Sequence, residues 1–157
     1  MIEISNIEVG RSALARSILD ALPEWFGIPA ATAEYVSNAE HLPMLAASAN
    51  GSEPVGFLSL WQRTPVASEA YVFGVRRKWH RRGVGRSLFA AAERRLLADG
   101  VRYLTVKTLS GTHPDPNYAM TRRFYEAIGF EPIDEFPTLW GKDNPCLLLV
   151  KPLKSMG

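Results

Sequence analysis

A cluster of cations and two glycines stands where the sequence predicts that a helix begins. Six of the eleven residues from 76 to 86 are basic: Arg76, Arg77, Lys78, Arg81, Arg82 and Arg86. A helix N-terminus carries unpaired N–H groups and partial positive charge, so carboxylates are favourable neighbours there and cations are not. Together with Gly83 and Gly85, the segment is typical of an anion site, in which backbone N–H groups and arginines surround a phosphate.

Two familiar phosphate-binding motifs do not fit this segment. The dinucleotide motif G-x-G-x-x-G would need glycine at Leu88, and the P-loop pattern G-x-x-x-x-G-K-[S/T] does not occur in the chain. Two other interpretations stay open on these residues: a solvated basic helix end, and an arginine cluster that contacts DNA. Against DNA, no helix-turn-helix pattern precedes the cluster, which instead follows a strand.

Other residue types that carry chemistry are scattered along the chain. His41, His80 and His113 are far apart and Cys146 lies in a strand-like run, so the sequence predicts no metal site. Ser87 lacks the G-x-S-x-G context of a serine nucleophile, and we interpret it as a polar residue early in a helix.

The composition is that of one globular domain, over residues 1–157. Apolar residues make up 46% and charged residues 22%, which argues against wholesale disorder. The net charge of +2 is too small to require a nucleic-acid partner by itself. The sequence has no signal-peptide pattern, and no apolar run reaches the roughly 18 residues of a membrane span. With Cys146 as the single cysteine, we expect a cytoplasmic protein without a membrane partner, monomeric or homodimeric.

The elements that must position the basic segment alternate between strands and helices. Periodicity predicts strands at 2–9, 43–49, 54–62, 69–75, 101–109 and 144–151, with a further candidate at 131–136. Helices are predicted at 12–26, ended or kinked by Pro23, and at 29–39, 83–98 and 118–130. A mixed central sheet with helices on both faces is the natural packing for this order.

Two local signals refine this α/β prediction. Asn50-Gly51 suits the positive φ of a tight hairpin turn between two strands. Gly74, inside the strand that precedes the basic segment, indicates either a bulge or a close approach to the backbone.

The basic segment resembles the acetyl-CoA signature of the GNAT superfamily of N-acetyltransferases, which centres on Q/R-x-x-G-x-G/A after the fourth strand. Gly83 and Gly85 match its glycines, and His80 stands at the Q/R position. The second family signature is a helix with Tyr followed four residues later by Gly-Phe, here Tyr125 with Gly129 and Phe130. The resemblance covers nearly the whole chain in the order of its elements, and implies the acyl-CoA N-acyltransferase fold.

The chain departs from the family pattern in the helix that carries the second signature. The family often has Asn seven residues before the Tyr and Ala four residues before it. Those positions are Tyr118 and Thr121 here, and Asn117 stands one step early.

The resemblance implies acetyl-CoA as cosubstrate and no metal. The pyrophosphate would lie on the backbone N–H groups of Arg81, Arg82, Gly83, Val84, Gly85 and Arg86. The pantetheine arm would pair like an extra strand with Phe73, Gly74 and Val75, where a bulge at Gly74 would splay the sheet. Asn117 and Tyr125 complete the expected cofactor contacts.

Catalytic roles also follow from the resemblance. Val75 N–H would donate to the thioester oxygen, and Tyr125 would protonate the departing thiolate. A primary amine with a pKa of about 10 is protonated at neutral pH. The acceptor therefore needs a base, or a path through water, to remove its proton. Glu69 lies fourteen residues before Gly83, the spacing of the catalytic Glu in histone acetyltransferases of the superfamily. His113 and water are the alternative bases.

The acceptor site is predicted from aromatic content near the expected cleft. Trp25, Phe26, Tyr71 and Trp140 could form an apolar wall or a face that binds a cation. We therefore predict an enzyme that moves an acetyl group from acetyl-CoA to a primary amine of a small molecule or peptide. The alternative is a catalytically silent CoA-binding sensor of the same fold.

Overall fold

The structure, a computed structural model, describes residues 1–154 and contains a seven-stranded sheet with helices on both faces. The strands are β1 Ile2–Ile7, β2 Met44–Ala49, β3 Pro54–Thr64, β4 Ala67–Val75, β5 Tyr103–Leu109, β6 Glu131–Phe136 and β7 Cys146–Pro152. The helices are α1 Arg11–Leu19, α2 Pro29–Ala39, α3 Val84–Ala98 and α4 Pro116–Ala127, with a 3-10 turn at Arg77–Trp79. The predicted α/β class with a mixed sheet is confirmed, as is the candidate strand at 131–136.

The strands follow the order β1-β2-β3-β4-β5-β7-β6 across the sheet. The β4–β5 pair is parallel, and the other five neighbouring pairs are antiparallel. The turn between β2 and β3 is the predicted one: Asn50 and Gly51 have φ values of 53° and 76°. This conformation matches the twist of a two-residue hairpin.

Each face of the sheet carries its own core. On one face, the apolar stripe of α3 is buried against β1 to β4, as the helical spacing predicts; it includes Val84, Leu88, Ala92 and Leu96. On the other face, α1 and α2 cover Phe57 and Val72 through residues such as Ile18 and Leu19. The sheet is thus held from both sides while its strand ends stay accessible.

The first helix ends earlier than predicted. It stops at Leu19 rather than near residue 26. In the turn that follows, Leu22 N–H donates to the Leu19 carbonyl oxygen at 3.0 Å. A continued helix would require a donor from residue 23 to Leu19, and Pro23 has no N–H. The segment that follows carries Trp25 and Phe26 away from the α1 axis.

The bulge in β4 is at Tyr71, and the prediction of a bulge at Gly74 was wrong. Ser59 opposes Val72 whereas the next residue of β3, Leu60, opposes Ala70, so Tyr71 is the extra residue. Gly74 serves the other predicted purpose, a close approach. A Cβ there would lie 3.1 Å from a methyl carbon of Ile18, so its absence lets α1 pack directly on the strand.

The last helix begins two residues before the predicted start. Asp115 Oδ1 accepts hydrogen bonds from the N–H groups of Asn117 and Tyr118, at 2.8 and 3.3 Å, and so caps α4. Pro116 suits the first helical position because its missing N–H would be unpaired there anyway.

We expect Gly56→Ala to destabilise the fold. Its Cβ would meet Val84 Cγ1 at 3.0 Å and the Gly74 carbonyl oxygen at 3.2 Å, where β3, β4 and α3 meet. Overpacking against backbone leaves little room for relaxation, so the free energy of unfolding should fall by about 1–3 kcal/mol in urea denaturation. Gly111→Ala is the matched control because its nearest neighbour, Arg122 Nε, would lie 3.6 Å away. Equal stabilities for the two variants would contradict this packing.

Candidate active site

A cleft opens where β4 and β5 separate. The two parallel strands pair through three positions of β4, Ala67, Ser68 and Glu69, whereas β5 pairs with β7 along its whole length. After Glu69 the bulge at Tyr71 redirects β4, and its remaining residues form one wall of the opening. The cleft has a volume of about 1480 Å³.

The free edge of β4 offers backbone groups to this cleft. Arg76 N–H donates to the Val55 carbonyl at 2.8 Å, which makes that pair a hydrogen-bonded pair of the antiparallel β3–β4 ladder. Since such pairs alternate, the N–H and C=O groups of Phe73 and Val75 point away from β3. They therefore face the side on which the cleft lies, as the resemblance led us to expect.

His80 occupies one of these groups. Its Nε2 lies 2.6 Å from the Val75 carbonyl oxygen, and because a carbonyl only accepts, Nε2 carries the hydrogen. The imidazole also meets the edge of the Trp25 ring, with centroids 5.5 Å apart. His80 therefore fixes the turn between β4 and α3 and leaves the Val75 N–H free of this contact.

The N-terminus of α3 lacks a side-chain cap. Its N-cap residue is Gly83, with φ 82°, and its first turn contains no acidic residue. The first hydrogen bond of the helix runs from Ser87 N–H to the Gly83 carbonyl oxygen, 3.0 Å. The N–H groups of Val84, Gly85 and Arg86 therefore have no partner within the helix. Because α1 and α2 also lack a side-chain cap, what distinguishes the α3 start is its position in the cleft beside Arg81 and Arg86, an arrangement that suits an anion from outside the chain.

The basic residues around this start divide into two groups. Arg76 and Arg77 are structural: Arg76 donates to Ser17 Oγ at 2.9 Å, and Arg77 pairs with Glu24. Arg81 and Arg86 line the cleft. Of the other predicted cofactor residues, seven also line it, Phe73, Gly74, Val75, Gly83, Val84, Gly85 and Tyr125, whereas Arg82 and Asn117 do not.

Gly85 has a packing role that the sequence did not reveal. A Cβ on Gly85 would lie 2.9 Å from Cζ of Phe124, inside contact distance. The Phe124 ring stacks on Phe73 at 5.8 Å between centroids, so α4 reaches the start of α3 and the edge of β4 together. Glycine at position 85 is therefore needed for the approach of α4.

Tyr125 lies in the wall of the cleft among aromatic rings. It is buried, and burial raises the pKa of its hydroxyl well above the ordinary value, with a further contribution from Tyr118 and Tyr35. The phenol is therefore protonated at neutral pH. Within residues 1–154 its hydroxyl makes no hydrogen bond, so it can act as a proton donor toward the cleft.

Glu69 is buried at the closed end of the cleft and bound by two cations. Its Oε1 accepts from Arg63 Nε and Nη2 at 2.9 and 2.7 Å, and its Oε2 lies 3.4 Å from Lys107 Nζ. Its ion pairs hold β3, β4 and β5 together. Across the cleft, His113 Nδ1 and Thr108 Oγ1 are buried in the wall without a hydrogen-bond partner in the described chain.

The four predicted acceptor residues, Trp25, Phe26, Tyr71 and Trp140, all line the cleft. Trp25 Nε1 donates to Thr121 Oγ1 at 3.1 Å, and Tyr118 O–H donates to the Trp25 carbonyl, so the loop after α1 is tied to α4. Tyr118 and Thr121, which stand where the family often has Asn and Ala, therefore make this tie.

Four further lining residues lack a recognisable signal in the sequence: Tyr35, Trp61, Arg63 and Lys107. Trp61 opposes Glu69 in the β3–β4 ladder, and the two rings of Trp61 and Tyr35 flank Tyr71 at 5.0 and 5.3 Å. Between the hairpin turn and this pair, Arg63 is an extra residue of β3, because Thr64 opposes Ala67 whereas Gln62 opposes Ser68, and alternation alone does not reveal that shift of register.

Residues 1–154 contain neither a cluster of metal ligands nor a membrane-spanning helix. No group of three or more His, Cys, Asp or Glu in that range lies close enough together to hold a metal ion. No helix in the same range is long and apolar enough to cross a membrane.

The chain matches one family model in sequence and many solved structures in fold. A sequence model of the acetyltransferase (GNAT) domain matches residues 38–132, more than half of the chain. No curated protein matches the sequence. Ribosomal-protein-S18-alanine N-acetyltransferase from Escherichia coli is similar in structure, with a TM-score of 0.75 at 21% identity, over 100% of this chain and 97% of that one.

Two more solved structures have the same fold. The aminoglycoside 6'-N-acetyltransferase from Enterococcus faecium gives a TM-score of 0.72 at 19% identity, over 99% of both chains. A GNAT family acetyltransferase from Elizabethkingia anophelis, solved with acetyl-CoA bound, gives 0.75 at 16% identity, over 97% of this chain and 98% of that chain. At these identities the likeness concerns the fold.

We expect Tyr118→Phe to weaken the tie between α4 and the loop after α1. At pH 7 the lost hydrogen bond to the Trp25 carbonyl should lower the free energy of unfolding by about 1 kcal/mol. Burial, aided by Asp115, raises the pKa of Tyr118 to about 12.

The sign of the pH dependence follows from this shift. A folded-state pKa above the unfolded value means that the contribution is complete below about pH 10 and is lost as the pH rises toward 12. In urea denaturation at several pH values, the decline in stability above pH 10 should be shallower for Tyr118→Phe than for the parent. An identical decline would contradict the burial of this hydroxyl.

Proposed function

The chain belongs to the GNAT acetyltransferase family, and from that premise we propose that it transfers an acetyl group from acetyl-CoA to a primary amine. The observation that carries the proposal is the uncapped start of α3 beside the free edge of β4. The pyrophosphate of CoA is a dianion, which suits the N–H groups of residues 84–86 and the side chains of Arg81 and Arg86.

The free edge of β4 supports the position of the pantetheine arm. An extended amide chain can pair with the outward N–H and C=O groups of Phe73 like an added strand. Val75 can offer its N–H in the same way, while its carbonyl is bound by His80. The Val75 N–H is our proposed donor to the thioester oxygen as negative charge develops there.

The thioester, when bound, supplies an activated acetyl group. Tyr125 then delivers the proton that the departing sulfur requires, because its hydroxyl is protonated at neutral pH and faces the cleft without a hydrogen-bond partner within residues 1–154. The surrounding rings hold the phenol in place: Phe73, Phe89, Phe124 and Phe130 lie within 6.4 Å of its centroid.

The acceptor ammonium must lose a proton before it attacks. Glu69 is our proposed base, as a buried carboxylate at the acceptor end of the cleft. Its ion pairs with Arg63 and Lys107 occupy it at rest, so the proton would reach it through water. His113, whose Nδ1 is unpaired in the described chain, is the alternative.

The phosphate cradle is tested at Gly83, where a side chain would have open space within 4 Å. Gly83→Asp and Gly83→Asn place nearly the same shape in the same left-handed backbone, which both residues tolerate better than others. Only Asp adds a negative charge where the pyrophosphate is expected. The dissociation constant for acetyl-CoA, from calorimetry, should be at least about tenfold weaker for Asp than for Asn. Equal affinities would exclude this helix start as the phosphate site.

Tyr125→Phe tests the proton donor. It removes a hydroxyl that makes no hydrogen bond within residues 1–154, so folding and acetyl-CoA affinity should be kept. A thiolate of pKa about 8.5 leaves fairly well unaided, and kcat should therefore fall by about ten- to a hundredfold. Tyr103→Phe, at the exposed start of β5 outside the cleft lining, serves as the matched control for loss of a hydroxyl. A kcat within twofold of the parent would show that Tyr125 is not the acid.

Glu69→Gln and His113→Ala, measured side by side, test the base. Gln keeps the shape of Glu69 but not its basicity, so kcat/KM at neutral pH should fall at least about tenfold and recover partly as the amine deprotonates at higher pH. His113→Ala should follow the parent profile. Because Gln leaves Arg63 and Lys107 uncompensated, unfolding and acetyl-CoA affinity are measured for both variants. Flat results for both would leave water as the base, and acetyl-CoA binding without thiol release from any amine would favour a sensor.

A further inference from the structure

The closed end of the cleft carries an excess of positive charge. Arg63 on β3 and Lys107 on β5 flank Glu69 on β4, which is the single carboxylate of this cluster. The Glu69 side chain is 5% exposed, whereas those of Arg63 and Lys107 are 38% and 30% exposed. Two cations against one carboxylate leave one positive charge in this cluster, and Glu34, on the exposed side of α2, is a further carboxylate of the cleft that faces Tyr71.

Both cations have capacity for a further partner. Arg63 uses Nε and Nη2 on Glu69 and stacks on Trp61, with its guanidinium carbon 3.8 Å from the ring centroid. That stacking holds the planar group in place while its Nη1 makes no hydrogen bond within residues 1–154. Lys107 Nζ is 3.4 Å from Glu69 Oε2, a distance typical of a loose pair, and an ammonium has three donors.

The strand register sets the distance between this cluster and the reacting end of the cleft. Glu69 lies opposite Thr105 in the parallel β4–β5 pair, so Lys107 is two residues beyond the last paired position, about level with Tyr71. Phe73 and Val75 follow Tyr71 by two and four residues. At roughly 3.3 Å per residue, their N–H groups lie about 7–13 Å further along the cleft.

The surface between the two ends is aromatic. Tyr71 is flanked by Trp61 at 5.0 Å and by Tyr35 at 5.3 Å between ring centroids. The hydroxyl of Tyr71 accepts from Asn38 Nδ2 at 2.8 Å, which turns its polar end toward α2. An apolar segment of a ligand can therefore lie along these rings.

From this arrangement, and resting on the proposed acetyltransferase function, we propose that the acceptor is an amine joined to a carboxylate through an apolar spacer. The carboxylate binds Arg63 and Lys107, the spacer lies along Tyr71, and the amine reaches the β4 edge at Phe73 and Val75. Since Glu69 lies at the carboxylate end in this pose, the proton of the ammonium reaches it through a chain of waters along the cleft. Allowing about 3 Å for each hydrogen bond, the amine nitrogen and the carboxylate should be several ångströms apart, as in an ω-amino acid of about five or six carbons.

A matched substrate series tests this proposal. Thiol release from acetyl-CoA is measured with ω-amino acids of increasing length, and with the alkylamine and the diamine of each length. For 6-aminohexanoate against hexylamine, we expect kcat/KM to be at least about tenfold higher, through a lower KM. Equal values for the two, or a preference for the diamine, would overturn the proposal while the acetyltransferase function stands. Acetyl-CoA binding without release from any amine would overturn that function as well.

Lys107→Met separates recognition from structure. Arg63 continues to pair with Glu69, and Met keeps the length and apolar character of the Lys107 stem. We expect KM for 6-aminohexanoate to rise about tenfold, so that its advantage over hexylamine shrinks, and Lys107→Arg to restore that advantage. Arg94→Gln removes an equal charge from the exposed face of α3 and is the matched control. Equal losses on both substrates in Lys107→Met, with lowered stability, would assign Lys107 a structural role only and overturn the proposal.

Discussion

The separation of β4 from β5 is the constraint on which the rest of the site depends. The two strands pair through three positions of β4, and beyond them β5 is paired only with β7, on its other edge. The extra residue at Tyr71 in β4 bends the strand at the point where pairing ends. The N–H and C=O groups of Phe73 and the N–H of Val75 are thereby left facing a cleft, where an unpaired polar group is costly unless water or a ligand satisfies it. Both the cofactor edge and the acceptor surface follow from this opening.

Within residues 1–154, α2, α3 and α4 border the cleft, and of these only α4 has a side-chain cap, Asp115. Glycine begins α3, with Arg81 before it and Arg86 after it in the cleft wall. Glycine is itself a favourable N-cap, so a side-chain cap would add only about a few tenths of a kcal/mol, and without one the first N–H groups of α3 stay open to an anion. Packing pins this start in place, because α4 brings Phe124 against Gly85 and Phe73. At the acceptor end of the cleft, one buried carboxylate pairs with two cations, and the three residues lie on three adjacent strands.

Much of the fold could be predicted because its signals are local. The Asn50-Gly51 turn, the apolar stripe of α3 and the cation-rich segment around Gly83 are each readable within a few residues. The errors arise where distant contacts decide. The bulge depends on how β3 pairs with β4, and it lies at Tyr71 rather than at the predicted Gly74. The first helix, predicted over 12–26, ends at Leu19. Arg63 and Lys107 meet Glu69 across three strands, and no spacing in the sequence marks that meeting. The sequence predicts that Gly85 binds phosphate. It does not predict the contact with Phe124, because that residue lies on another helix.

The central claim, that the free β4 edge and the uncapped α3 start hold CoA, is tested most directly by amide hydrogen exchange followed by NMR. Exchange is compared for the protein alone and with saturating acetyl-CoA. The account predicts new protection of the N–H groups of Phe73, Val75, Val84, Gly85 and Arg86, because each would donate to the ligand. Amides in the first turn of α4, which Asp115 already binds, should change little. Protection confined to other parts of the chain, with these five amides still exchanging as in the free protein, would contradict it.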